Sequence, residues 1–237
     1  MKFIIEPGTS ADINELEKLY DELNDYLADT INYPGWIKGI YSIYFSPTQG
    51  TKNITNTLAQ GIGIYQEIDL CEYTDPIPER VFSENDICLI GVPSYGGRVP
   101  RTAVERINGF KGNGASAILV VSYGNRDYDD TLIELFDVVK SQGFTCIGGV
   151  AAIAEHSIMH QFASGRPDMD DMNQLKRFAK EVKEKIDASI LTEVQVKGNH
   201  PYKELKEVPF HPTASDLCTM CGLCAKLCPV HAIPFDA

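Results

Sequence analysis

Four cysteines near the end of the chain, Cys218, Cys221, Cys224 and Cys228, are spaced C-x2-C-x2-C-x3-C-P. Two-residue gaps curl a backbone around one face of a four-iron cubane, so the first three thiolates can each hold an iron. Gly222 relieves crowding in that tight loop. Cys228 lies beyond the curl, and Pro229 starts a different course of chain. Zinc is the competing ion, but structural zinc sites usually separate two C-x2-C pairs by a longer stretch, so the run suits iron and sulfide better. The other three cysteines, Cys71, Cys88 and Cys146, stand singly in or at the ends of strand-like runs. In a reducing compartment they read as small core hydrophobes rather than disulfide partners.

A second set of residues lies in three short loops. "FSPTQGTKN" (45–53) places Ser46, Thr48, Gly50 and Thr51 where a strand hands over to a helix. Unpaired N–H groups and the helix dipole there favour an anion, so the loop suits a phosphate monoester; it also suits an ordinary helix cap. "GVPSYGGRVP" (91–100) offers Tyr95 as an aromatic face, with Gly96 and Gly97 permitting close approach of a planar ligand. "VSYGNRDYDD" (121–130) repeats Tyr then Gly at a strand end, with Asn125 and Arg126 as polar neighbours. Each loop alone fits an ordinary turn. Their convergence on one sheet edge, a phosphate cradle with two aromatic walls, suits a flavin mononucleotide. A further loop carries "EHS" (155–157), whose His156 either bonds a flavin or relays a proton, or is a satisfied loop histidine. Arg166 in "GRPDMDD" reads as an anchor for the last helix.

The elements that must position these loops are visible in the hydrophobic pattern. Apolar, β-branched runs fall at 41–45, 64–70, 86–92, 116–123 and 144–153. Helical segments are predicted at about 51–61, 100–109, 128–142 and 169–188. Runs that are apolar on both faces and alternate with helices imply a parallel sheet covered on both sides. Five strands in this rhythm predict a doubly wound α/β fold, whose ligands bind at the carboxyl ends of the strands. Upstream, "KFIIE" reads as a short strand and "TSAD" as the cap of a helix with one apolar stripe. Downstream, the polar, Pro-containing "KGNHPYKELKEVPFHPTASD" (197–216) leads to the cysteines. The expected organisation is therefore a strand–helix segment at 1–40, a ligand-binding domain at 41–190, a linker at 191–216 and the cysteine segment at 217–237.

The net charge of −12 argues against nucleic acid, whose phosphates demand the opposite sign, and fits docking onto basic redox partners. No window approaches the roughly 18–20 apolar residues of a spanning helix, and the start has no signal-peptide layout. A cytoplasmic protein without membrane partners is expected.

On "IYFSPTQGTKN", "PSYGGRVP", "YGNRDYDD", "AEHSI", "GRPD" and the cysteine run, residues 41–237 resemble the flavodoxin–ferredoxin fusions of the EFR-type ferredoxin family. The resemblance implies a flavodoxin-like FMN domain followed by a short ferredoxin-like tail. Ser46, Thr48, Gln49, Gly50, Thr51, Lys52 and Asn53 would then surround the FMN phosphate. Tyr95, Gly96, Gly97, Tyr123, Gly124 and Asn125 would border the isoalloxazine, with Pro93, Ser94 and Ser122 beside them. Flavodoxin loops usually read S/T-x-T-G-x-T, and here Gln49 stands at the glycine position. The resemblance also implies two cysteine motifs exchanging fourth ligands, whereas one is present, so an incomplete 4Fe-4S domain is expected. Residues 1–40 resemble the opening strand and helix of a GNAT-type N-acetyltransferase. The acyl-CoA loop of that family is not found, so no acetyl transfer is expected.

Together these readings predict an electron-transfer flavoprotein moving electrons between FMN and an iron–sulfur cluster. An FMN-dependent reductase of a small substrate and a cofactor-free binding module are the alternatives.

Overall fold

Leu89 and Ile90 are adjacent in sequence and both fully buried, yet they belong to different cores. That is the signature of a strand covered on both faces, since successive side chains point to opposite sides. The computed structural model describes residues 39–72, 76–205, 213–228 and 232–234, all in the unit Ile37–Ala237, one of two into which the chain divides. The segment expected over 1–40, with its acetyltransferase resemblance, lies outside the described residues apart from Gly39 and Ile40.

Five parallel strands form the main sheet: β1 (Ile40–Tyr44), β2 (Gln66–Asp69), β4 (Ile87–Pro93), β6 (Ser116–Tyr123) and β7 (Thr145–Ile153), in the order β2-β1-β4-β6-β7. Ile43 pairs in register with Ile90, and Ile90 with Leu119, so the central strands share one apolar layer. Two short strands, β3 (Arg80–Val81) and β5 (Phe110–Lys111), make a separate parallel pair that the hydrophobic pattern does not predict. Counting only the main sheet, the order is 2-1-3-4-5, the flavodoxin-like doubly wound arrangement, with its switch point between β1 and β4.

Helices α1 (Gly50–Ile62) and α4 (Met169–Asp187) cover one face, packing Ile54, Leu58, Leu175 and Ala179 on Leu89, Ile118 and Val120. They approach closely at Gly61, where a Cβ would stand 2.5 Å from that of Ala179. Helices α2 (Arg101–Ile107) and α3 (Thr131–Ser141) cover the other face with Ala103, Ile107, Leu135 and Val139 against Ile90, Leu119 and Val121. Cys88 and Cys146 are fully buried in this second core, as small hydrophobes. Burial pushes the Cys146 thiol up to about 12. Helix α4 opens with a capping box between Asp168 and Asp171, and Arg166 pairs with Asp171. Among the described residues no helix is long and apolar enough to cross a membrane.

Candidate functional site

A crevice opens at the switch point, where the loops after β1 and β4 diverge. It encloses about 670 Å³, within the roughly 300–1,000 Å³ usual for small-molecule sites. Of the sequence-predicted residues, Ser46, Thr48, Gly50, Thr51, Pro93, Ser94, Tyr95, Gly96, Gly97, Ser122, Tyr123 and Gly124 line it. Gln49, Lys52, Asn53 and Asn125 do not.

The loop after β1 is closed by Ser46. Its N–H donates to Cys71 Sγ (3.2 Å), its Oγ accepts from the Lys52 N–H (3.0 Å) and its carbonyl accepts from the Gln49 N–H (3.2 Å). Among the described residues no protein acceptor takes the N–H of Thr48, Gly50 or Thr51. These are the orphan donors expected at a helix start. Gln49 caps α1 at φ 66°, in the left-handed region where glycine is favoured. The Thr51 hydroxyl turns away from the loop surface and meets Ser122 Oγ at 2.7 Å.

Lys52, expected beside a phosphate, is committed elsewhere. Its Nζ lies 2.8 Å from Glu67 and 5.1 Å from the centre of the Tyr44 ring. The Lys52 ammonium, followed by the Tyr44 hydroxyl, holds the Glu67 carboxyl below its usual range. Burial, together with Glu67, pushes Tyr44 up to about 12. Asn53 is exposed on α1, its N–H already given to the Gln49 carbonyl (3.0 Å). Asn125 is likewise exposed, at φ 65°.

After β4, Tyr95 and Arg98 exchange both backbone hydrogen bonds (3.0 and 3.2 Å) around Gly96 and Gly97, at φ 64° and 86°. A two-residue turn with both central φ positive requires such residues. The Asp129 side chain packs over Gly97 and leaves no room for a Cβ. Arg98 fixes the turn to α3 through two 2.7 Å bonds to Glu134, which also accepts the Val99 N–H (2.8 Å). After β6, Tyr123 meets Tyr128 edge-on at 5.4 Å.

A further wall comes from Ala154, Glu155, Ser157 and Ile158, which are not among the residues expected to hold ligand, and from His156, for which flavin bonding is one of the expected roles. Gly124 lies against His156, and a Cβ there would stand 2.6 Å from the imidazole Cδ2. A small residue at the β6 end opposite a loop histidine is the only sequence signal for this pairing.

The connector to the cysteines begins as a strap on the core. Val194 donates to the Cys146 carbonyl (2.9 Å), and Gly198 packs against Ile133. The buried Asp130 carboxylate accepts from Asn199 N–H (2.8 Å), Asn199 Nδ2 (3.0 Å) and Lys203 N–H (2.6 Å). Desolvation opposes its ionisation, yet these donors hold its carboxyl below the usual range. Arg98 donates to the Lys203 carbonyl (2.8 Å) and stacks over Tyr202 at 4.8 Å. Leu205 then reaches the Tyr95–Arg98 turn, 3.4 Å from the Cβ position of Gly96.

In the tail, Gly222 at φ 70° caps a one-turn helix α5 (Leu223–Leu227), and Met220 at φ 55° continues the curl. Cys218, Cys221 and Cys224 are exposed and Cys228 is half-buried, accepting the Ala232 N–H at 3.3 Å. The Leu223 N–H, with the Thr219 side chain, holds the Cys221 thiol below its usual range. Four thiols in this spacing have the donor chemistry of an iron–sulfur site. Among the described residues, however, no three His, Cys, Asp or Glu side chains gather closely enough to hold a metal ion.

Residues 214–233 match the 4Fe-4S binding domain family, which supports an iron–sulfur cluster. No curated protein matches the chain. Solved structures with a similar chain path include a flavodoxin from the domain Archaea, at 16% identity and TM-score 0.42, over 63% of this chain and 99% of that one. A Streptococcus pneumonia TIGR4 flavodoxin is similar at 18% identity and TM-score 0.44, over 62% and 98%. The rubredoxin oxygen:oxidoreductase of Desulfovibrio gigas is similar at 13% and 0.46, over 64% of this chain and 37% of that one. At these identities the likeness extends to chain path alone, and the fold class rests on the strand order.

Proposed function

We propose that this chain is an electron-transfer protein that holds FMN in the crevice and exchanges electrons through an iron–sulfur cluster on its tail. The observation that carries the reading is the union, in one chain, of a crevice at a doubly wound switch point with a 4Fe-4S domain match at 214–233. FMN, when bound, supplies exchange of electrons singly or in pairs, and the protein supplies position and environment. On this reading residues 41–190 are the flavin domain, 191–216 the connector and 217–237 the cluster segment.

The N–H groups of Thr48, Gly50 and Thr51 and the Thr48 hydroxyl take the phosphate. Ser46 shapes the loop rather than the ligand. Tyr95 and Tyr123 wall the isoalloxazine, and Gly96, Gly97 and Gly124 let it approach the backbone. Cys218, Cys221 and Cys224 are the thiolates for cluster iron, with Cys228 following. The net charge of −12 suits partner redox proteins with basic docking surfaces. Seven free thiols suit a cytoplasmic setting.

Titration of apoprotein with FMN tests the first half of the reading, with equimolar uptake and quenched emission expected beside the two tyrosines. No uptake overturns it. Anaerobic stopped-flow reduction tests the second half. A reduced ferredoxin donor should reduce the loaded protein much faster than NAD(P)H, and the reverse order would make it an FMN-dependent reductase of a small substrate.

A further inference from the structure

His156 is held in one tautomer by its own loop. Its Nδ1 accepts two backbone N–H groups, those of Ile158 (3.2 Å) and Met159 (3.1 Å). A ring nitrogen that accepts cannot carry the proton, so the neutral imidazole is protonated at Nε2. The loop that imposes this is tied at its base and across its span. Glu155 donates its N–H to the Arg166 carbonyl (2.9 Å), and its carboxylate accepts from the Gly165 N–H (2.8 Å) and lies 2.7 Å from His160 Nδ1. The His156 N–H itself reaches the Phe162 carbonyl (3.1 Å), and the Phe162 ring stands 6.4 Å from the imidazole. Gly124 supports the ring on the β6 side. The imidazole is therefore positioned on the backbone of two separate loops, and His156 is among the residues that line the crevice. Among the described residues no protein acceptor takes the Nε2 proton.

We infer that His156 is a ligand-binding residue, a pre-set Nε2–H donor to an acceptor atom of the molecule in the crevice. It is a donor for a carbonyl, phosphate or ring-nitrogen acceptor, and a poor partner for another N–H. The inference rests on the reading of the crevice as a flavin site, and deepens it by naming a residue outside the three loops first expected to bind. Two backbone donors on Nδ1 make the difference from a loop histidine satisfied at both nitrogens. Here one nitrogen is satisfied to fix the proton on the other.

The test has two arms on the full chain. In the ligand-free protein, long-range 15N correlation should show Nδ1 unprotonated and Nε2 protonated in the neutral ring. A Nδ1–H form, or a rapid average of the two, would overturn the inference whatever the protein binds. In the second arm FMN and riboflavin are titrated into wild type, H156F and H156Q. H156F, which loses the Nε2 donor and also the Nδ1 acceptor of the loop, should weaken FMN at least about threefold, while H156Q, whose amide retains both a donor and an acceptor, should stay within about threefold of wild type. Weakening of both ligands places the acceptor on the ring or ribityl chain, and weakening of FMN alone places it on the phosphate. H156F equal to a wild type that binds FMN overturns the donor role and leaves the flavin reading standing. A wild type that takes neither ligand overturns both.

Discussion

Thr51 and Ser122 share a buried hydrogen bond of 2.7 Å between their hydroxyls, joining the first turn of α1 to the end of β6 beneath the crevice. The contact links a helix and a strand through residues that are 71 apart in sequence. It also assigns Thr51 a different task from Thr48. Replacing either partner of the pair by Ala leaves the other hydroxyl buried and unmatched, a cost of roughly 1–3 kcal/mol, whereas removing both costs less than the sum. Urea unfolding of T51A, S122A and the double variant should show that non-additivity. T48A should instead leave stability within about 0.5 kcal/mol and weaken FMN in the titration.

Gln49 occupies the left-handed region at φ 66° in the loop over α1. For a non-glycine residue that conformation costs roughly 1–2 kcal/mol, partly offset by the greater unfolded-state freedom glycine would bring. Gln49→Gly should therefore raise the unfolding free energy by about 0.5–1 kcal/mol. Thermal and urea unfolding check it, and an unchanged midpoint would mean that the glutamine is not strained.

Asp130 predicts an acid response of the strap. Its folded carboxyl is held below the ordinary value, so its contribution is fully present above the unfolded pKa of about 4. That contribution is lost as pH falls through the folded value. Amide exchange at Asn199 and Lys203, corrected for the intrinsic pH dependence of exchange, should accelerate at least about tenfold once Asp130 is protonated. D130A should show the faster exchange already at pH 7. If the strap amides in D130A exchange as slowly as in wild type, the carboxylate is not its anchor.

The cysteines should separate by reactivity. Burial pushes Cys71 up to about 11 and Cys146 to about 12, and Cys88 is raised well above its usual value by burial and nearby Asp86. Cys221 is exposed and held low. Since the thiolate is the reactive form, brief alkylation of the metal-free chain at pH 7.5 should modify Cys221 first and leave Cys71, Cys88 and Cys146 intact. Peptide mass spectrometry reads the order directly.

The double apolar identity of runs such as Leu89–Ile90 and Leu119–Val120 made the sheet readable, because only strands buried on both faces need it. The glycine pair at 96 and 97 likewise declared a turn through its required dihedrals. Strands of two residues, β3 and β5, are too short to carry a period. The fate of Lys52 depended on Glu67, which reaches it through the pairing of β2 with β1. His156 needed Gly124 across a strand end, and Asp130 needed Asn199 69 residues later. Such pairs are contacts of topology, and no local pattern encodes them.

Anchoring the strap shortens the reach of the cysteine segment. Leu205 rests on the Tyr95–Arg98 turn, so 13 residues lead from it to Cys218, whereas 31 lead there from the end of α4 at Asp187. At full extension those lengths reach about 45 Å and about 105 Å. The upper bound on the distance between the thiols and their anchor on the core thus falls by more than half. Asp130 and Arg98, neither of which need touch a cofactor, would bound how far the proposed cluster can lie from the proposed flavin.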